Sequence, residues 1–598
     1  MYHPWEEVYR LQFFLRRLLI DPLSKRFSAP CLGAVEVRQD KEFSGPIQAP
    51  QTIEIYEIAE DLATARVSWT RCPLTLIDSG LKNSAKINVQ DFSLVGDIRY
   101  IAVKNRLLIL PHLALADLCL GTDTSLEVIE EWFVQNPYLE SVNWCSGIEI
   151  AIRCVQILQV VTILARDSDA SRELVGRSLQ YLESHLSRYS SANNHLLAEL
   201  LALIYILRLY PTAKSKKSLG YYCEYFEEEF RRQTHFDGFC KEQSLHYHSE
   251  SLEYAATYLG LNHSEECSQD FLMAVKQAGS CLDVFLGYDG NAPLIGDSDE
   301  GKMLGLSNSM LEHYGHLLAY LSFFTGVEYT NQLELSKGDD FRLPMTSKAA
   351  TRNLQVLHKI PREKVYVHSG YYVAQSATYK FIFDFGGLGL EPLCAHGHSD
   401  AFSFICSVRG MPVIIDSGTF QYHERFAAKR DYYRSGSAHS SFLPEGIDFA
   451  DPAGRMQWKD GYRIVPTAIL NQGEQTVIRA RTTSAALQKN GLDHFCEFTA
   501  DETRRHFKIF HRYSGETQAH SFVWRMPLDS SITVTYSGKH ELMLSNENGP
   551  CLRISSPELG QYNVENATRS VSFGSEQGAK LLVFRVPGPE SMLQIQLL

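Results

Sequence analysis

At 598 residues the chain is too long for one compact core, so two or three domains are expected. A content of 44% hydrophobic and 21% charged residues is that of an ordinary globular protein and argues against extensive disorder. The formal net charge of -13 disfavours nucleic acid as a partner, yet leaves an anionic substrate open because local field matters more than the total.

Residues 5–20 read as an amphipathic helix, with Val8, Leu11, Leu15, Leu18 and Leu19 on one face and Arg10, Arg16 and Arg17 largely elsewhere. Packing against its own domain is the expected role, with a membrane surface as the alternative. The charges there also interrupt any signal-peptide core, so a soluble, cytoplasmic protein is expected, with export by another route left open. Residues 30–105 are mixed, with strand-like pieces such as Thr52-Ile53-Glu54-Ile55-Tyr56 and Ile98-Arg99-Tyr100-Ile101-Ala102-Val103, and 1–105 is taken as an N-terminal subdomain. The apolar run from Leu107 to Leu120 contains Pro111, His112 and Asp117 and is too short to span a bilayer, so no transmembrane segment is expected. The 13 cysteines include no Cys-x-x-Cys pair and sit mostly in apolar runs (Cys154, Cys281, Cys406), which points to buried thiols in a reducing compartment.

From 106 to 345 the pattern is helical. Trp144, Ile148, Ile152, Val155 and Leu158 recur at helical spacing, as do Leu196, Leu197, Leu200, Leu201, Ile204 and Leu207 up to Pro211. Further helices are predicted over 170–188, 218–232, 249–260, 268–286 and 308–325, which implies stacked helical hairpins without a fixed-period repeat. After 345 the period becomes two. Val365-Tyr366-Val367, Tyr371-Tyr372-Val373 and Lys380 to Phe385 are strand-like, and Arg409-Gly410 reads as a hairpin turn between Ala401–Val408 and Met411–Asp416. Strands continue to Leu581–Val586, so 346–598 is expected to form a large antiparallel sandwich. Gly386-Gly387-Leu388-Gly389 follows a strand but lacks the Lys-Ser/Thr and helix that a nucleotide site needs.

Five segments carry chemistry. Asn193-Asn194-His195 opens an apolar helix, where an Asn caps the helix or, with His195, meets a substrate carboxylate at the positive helix end. Tyr247 and His248 follow a polar run and are expected in a loop facing a cleft, where adjacent positive charge would favour phenolate and let Tyr247 act as a base. His396 and His398 share one face of an extended segment around Gly397. His398, Asp416 and His439 are 18 and 23 residues apart, so only a sheet could bring them together. Their donor types suit a zinc-like divalent ion. Asp297-Ser298-Asp299-Glu300 reads as a solvated turn or, alternatively, as paired carboxylates of a glycosidase.

Taken together, the segments Asn143 to Arg153, Asn193 to Glu199, Glu242 to His248, His396 to Ser403, Ile415 to Phe420 and Arg434 to Ser441 resemble the heparinase II/III-like polysaccharide lyases, a family that includes related alginate and glycosaminoglycan lyases. The resemblance runs in order from about 140 to about 445. It implies a multidomain α+β protein, an incomplete α/α toroid over 106–345 followed by an antiparallel β-sandwich over 346–598. It further implies a carbon–oxygen lyase that cleaves an anionic, uronic-acid-containing polysaccharide or oligosaccharide by β-elimination, leaving unsaturated uronate ends. Asn194 and His195 would neutralise the uronate carboxylate, Tyr247 would be the acid/base phenol and His396 the second proton-transfer group. His248, Glu242 and Arg434 would contact substrate. His398, Asp416 and His439 would hold one structural divalent metal ion, zinc in the best-known members. His439-Ser440-Ser441 departs from the His-Asn-Thr common in the family, and no secretion signal is seen, which makes members of capsule or exopolysaccharide clusters the closer analogy. A homodimer is left open. A glycoside hydrolase using Asp297, Asp299 or Glu242, or a non-catalytic polysaccharide-binding factor, remain the alternatives.

Overall fold

The computed structural model describes residues 68–72, 75–89, 91–188, 192–262, 266–304, 309–333 and 356–598, together with Leu32. The helix expected at 5–20 and the strand expected at 52–56 lie outside the described residues. The chain divides into two compact units. One takes in the chain up to Gln233 with Ser249–Gly279 and Gly301–His358, and the other takes in Thr234–His248, Ser280–Glu300 and Lys359–Leu598.

In the first unit, α1 (Ile98–Asn105) corrects the strand expected there: Asp97 accepts a hydrogen bond from the Arg99 amide and caps it. Ile98, Tyr100 and Ala102 alternate like a strand, but the residues that bury are Ile101 and Asn105, one helical turn apart. Then come α2 (Leu110–Leu120), α3 (Thr124–Gln135), α4 (Gly147–Leu164), α5 (Asp169–His185), α6 (Asn194–Leu209), α7 (Leu219–Gln233), α8 (Leu245–Leu261), α9 (Gln269–Leu286) and α10 (Met310–Thr325). The first turn of α8 and the last turns of α9 are shared out to the second unit. α4 packs against α2, α5 and α6. Among the described residues it is the one helix long and apolar enough to cross a membrane, and 78% of that span is buried inside the protein, as a core helix would be. Arg153 of α4 lies between Trp132 and Trp144, its guanidinium 4.2 Å from the first ring, and donates to the carbonyls of Asn105 and Asn143. Cation–π contact and those carbonyls stabilise the buried charge.

The second unit carries the strands β1 (Glu363–Tyr366), β2 (Tyr371–Ser376), β3 (Tyr379–Asp384), β4 (Phe404–Val408), β5 (Met411–Ile414), β6 (Ser441–Pro444), β7 (Tyr462–Gln472), β8 (Gln475–Ser484), β9 (Leu492–Asp501), β10 (His506–Gly515), β11 (Phe522–Asp529), β12 (Thr533–Gly538), β13 (Glu541–Asn546), β14 (Gly549–Ser555), β15 (Tyr562–Arg569), β16 (Gln577–Val586) and β17 (Glu590–Leu597). One antiparallel sheet has the order β7-β8-β9-β10-β17-β14-β13-β12, the other β15-β16-β11-β5-β4-β3-β2-β1, with β6 paired to β11. The hairpin expected at Arg409-Gly410 forms: Val408 pairs with Met411, and both turn residues have positive φ, as a two-residue turn matching the strand twist requires. Facing aromatic rings weld the sheets, Phe381 on Phe507 at 3.9 Å and Phe383 on Phe498 at 4.2 Å. β3 ends, β4 begins and β5 ends at the same edge of its sheet, and the loops leaving that edge carry the site.

Candidate active site and metal centre

Three segments of the second unit are stitched together by backbone bonds. The Ser244 hydroxyl caps α8 by accepting from the Tyr247 amide and itself donates to the Asp297 carbonyl at 2.5 Å. The Leu245 amide donates to the Ile295 carbonyl, and the Asp297 amide to the His396 carbonyl at 2.9 Å. Two glycines permit the approach. At Gly296, which has φ +61, a Cβ would lie 2.2 Å from the Gln243 carbonyl oxygen, and at Gly397 a Cβ would lie 1.6 Å from that of Leu388.

His246, Tyr247 and His248 therefore occupy the first turn of α8, which corrects the loop expected for them. The Tyr247 ring stacks on His396 with centroids 3.6 Å apart and planes at 25°. Its hydroxyl is 3.2 Å from that of Tyr422, whose ring lies 5.0 Å from the Arg430 guanidinium. His396 Nε2 lies 3.6 Å from Glu242 Oε2, and its Nδ1 3.3 Å from Asp297 Oδ2.

Asp297 is completely buried, which corrects the solvated turn expected at that position, while Ser298, Asp299 and Glu300 are half-buried. It accepts from two guanidinium nitrogens of Arg430, from His396 and from His398 Nε2 at 3.0 Å. Burial favours the neutral acid, but the Arg430 charge and the two imidazoles hold this carboxyl well below the usual carboxylate range. It is thus an ionised anchor. Asp299 accepts from His246 Nε2 at 3.1 Å.

In the helical unit, Asn193 caps α6 by accepting from the His195 amide, and Asn194 is its first residue. The end of α7 pins this corner: Gln233 donates to the Asn193 carbonyl at 2.9 Å and Arg232 to that of Ala192. Asn194 is buried and its amide nitrogen lies 3.4 Å from Glu250 Oε2, while His195 is half-buried.

His398, Asp400, Asp416 and His439 are all buried and offer ligand atoms within 4.8 Å of one another, so this group could hold a metal ion. Tautomers supply the test of fit. His439 Nδ1 donates to the Ser435 carbonyl at 2.7 Å, leaving a lone pair on Nε2. His398 Nε2 donates to the ionised Asp297, leaving a lone pair on Nδ1. These two lone pairs face each other at 3.2 Å, with Asp416 Oδ2 3.1 Å from His439 Nε2. Such a pair is relieved by a metal ion between its members or by a proton on His439 Nε2, which also faces Asp416. Burial pulls the His439 imidazole down, but the Asp416 and Asp400 carboxylates push it up to about 9. Burial pushes the Asp400 acid up against the pull of His439 and His398, and burial followed by the Asp400 charge pushes Asp384 up. The donor set fits a metal cation.

Sequence comparison gives matches to the Heparinase II/III N-terminus family over residues 127–322 and to the Heparinase II/III-like C-terminal family over residues 360–597. The chain belongs to the heparinase II/III-like family. Members of this family are carbon–oxygen lyases acting on polysaccharides. No curated protein matches the sequence. Among solved structures, Heparinase III superposes with a TM-score of 0.65 at 14% identity, covering 99% of this chain and 91% of that one. A heparan sulfate lyase HepC mutant from Pedobacter heparinus gives 0.59 at 15%, covering 99% and 88%. The heparinase fold is accordingly an incomplete α/α toroid followed by an antiparallel β-sandwich.

Arg434 is buried, donates to the carbonyls of Gly454, Arg455 and Gln457 and lies 4.6 Å from the Trp458 ring, so it braces the 454–458 segment. His248 is buried and stacks on Phe239, and Glu242 is buried beside His396. The sequence alone assigns no role to Tyr422 or to Asp400, although Asp400 stands two residues after His398 in the same motif. Arg430 shows there only as part of the locally basic stretch from Arg425 to Arg434, just before His439.

Proposed function

We propose that this protein cleaves an anionic, uronic-acid-containing polysaccharide by β-elimination, leaving unsaturated uronate ends. The observation that carries the reading is the stacked pair of Tyr247 and His396, two proton-transfer groups in van der Waals contact and wired to fixed partners. Elimination across C4–C5 of a 4-linked uronate needs a base for the C5 proton, an acid for the leaving oxygen, and neutralisation of the carboxylate so that the C5 proton becomes acidic. Tyr247 and His396 serve as the proton-transfer groups. Asn194 and His195, at the positive end of α6, supply the carboxylate with donors. The heparan sulfate lyases that share the fold make a glycosaminoglycan-like polymer the first substrate to try.

His398, Asp416 and His439, with Asp400 as a fourth donor, would hold one divalent ion, and the nitrogen and oxygen donors favour zinc. The ion would supply structural charge compensation. Metal analysis is expected to find about one ion per chain. His398→Ala and Asp416→Ala should each lose it and lower the Tm by about 5 °C. A full metal complement in both variants would show that the ligands lie elsewhere.

The function is tested by incubating purified protein with a panel of uronic-acid polysaccharides while ultraviolet absorbance and reducing ends are followed together. A lyase generates both signals. Reducing ends without absorbance would indicate hydrolysis, and neither signal on any polymer would indicate a binding protein.

A further inference from the structure

Asp297, in the acidic loop, has no part of its own in the elimination chemistry. It is buried between two histidines of different function, and its two oxygens divide between them. Oδ2 lies 3.3 Å from Nδ1 of His396, and Oδ1 3.0 Å from Nε2 of His398. Arg430, itself buried, binds both oxygens and so fixes the plane of the carboxylate. Its guanidinium is held in turn by the Arg455 carbonyl and the Tyr422 ring. The Asp297 backbone is tied down as well, its amide to His396 and its carbonyl to Ser244.

We propose that Asp297 is a positioning residue that sets the tautomers of His396 and His398 at once, so that proton transfer and metal binding depend on one carboxylate. The chemistry is that of a single ionised acceptor meeting two imidazoles. Each must turn an N–H toward it, because a lone pair facing a carboxylate is repelled. On His396 the Nδ1 proton is held by Asp297, so the exchangeable proton is the one Nε2 shares with Glu242, 3.6 Å away. On His398 the proton sits on Nε2, which leaves the Nδ1 lone pair aimed at His439 as a metal donor. A carboxamide in place of the carboxylate presents one acceptor and one donor, so it can satisfy one histidine in this tautomer but not both. Arg430 has the complementary duty of holding the carboxylate ionised and fixed in orientation.

The part concerning His396 rests on the lyase reading above, whereas the part concerning His398 does not. The test uses the full-length, metal-loaded protein with two variants, Asp297→Asn and the charge-balanced double variant Asp297→Asn/Arg430→Gln. Three quantities are read: zinc affinity by chelator competition, kcat and KM on the polymer that the wild type cleaves, and the circular dichroism spectrum. Both variants are expected to keep the wild-type spectrum, to bind zinc on the order of 10–100-fold more weakly, and to lose kcat by a similar factor with KM changed less than about threefold. Asp297→Glu, which restores a carboxylate, should recover part of both losses. Wild-type zinc affinity in both asparagine variants would overturn the proposal, whatever their activity. Lost reducing-end release with unchanged zinc affinity would make Asp297 a catalytic acid and overturn it as well. Failure of both variants to fold would reduce Asp297 to a general structural ion pair, and the proposal would fall with it. If the wild type cleaves no uronate polymer, the lyase reading fails, while the zinc measurement still decides the His398 half.

Discussion

Tyr247→Phe is expected to lower kcat by about 10²–10⁴ while leaving the fold and the metal content unchanged. The substitution removes one oxygen and keeps the ring, so the stack on His396 at 3.6 Å survives. Among what it gives up is the hydroxyl pair with Tyr422 at 3.2 Å, and a hydrogen bond of this kind has a net contribution to stability of about 1 kcal/mol. The lost rate corresponds to about 3–5 kcal/mol of barrier, several times that amount, so a purely structural role for the phenol cannot produce it. His396→Ala should fall comparably in rate, but it deletes a ring that both Tyr247 and Asp297 contact, and so should also lower the Tm. Phenylalanine is the cleaner probe for that reason. Turnover within about threefold of wild type in Tyr247→Phe would remove this phenol from the proton-transfer step.

What is legible in the sequence follows from how local each signal is. The helices of the first unit announce themselves by apolar spacing, and the strands of the sandwich by alternation and by the Arg409-Gly410 turn. The start of α8 is hidden because Glu242 to Glu250 is largely polar, and its helical state depends on the Ser244 cap and on bonds to Ile295 and Asp297, about fifty residues away. Ile98 to Val103 reads as a strand because a short helix with one buried stripe alternates by chance. Asp297 shows the limit most sharply. In sequence it is the first charge of an acidic run, and its partner Arg430 lies 133 positions later. Nothing near either residue marks them as the two halves of a buried ion pair. The candidate metal ligands stand out because histidine and aspartate beside glycine are chemically distinctive, but their geometry depends on the edge of a sheet, which no single segment encodes.

Removing the carboxylate charge of the substrate should affect this enzyme far more than shortening the polymer. If Asn194 and His195 receive the uronate, their donors gain most as negative charge moves from C5 onto the carboxyl oxygens, because a preorganised donor is worth most where charge develops. Asn194→Ala should then lower kcat by about 10²–10³ and change KM by less than about threefold. The corner that presents Asn194 is held by Gln233 and Arg232 through the carbonyls of Asn193 and Ala192, not through the Asn194 side chain, so α6 should still start at the same residue. Carboxyl-reduced polymer should be turned over slowly by the wild type and no more slowly by Asn194→Ala, since the variant has already lost the interaction that reduction removes. Equal sensitivity of both proteins to trimmed chain ends would complete the pattern. The hydrolase alternative predicts the reverse: tolerance of Asn194→Ala, indifference to carboxyl reduction, and loss of reducing-end release when Asp299 is replaced. A double-mutant-style comparison of the two proteins on the two polymers separates the cases, because additive losses would place Asn194 and the substrate carboxylate apart, and non-additive losses place them in contact.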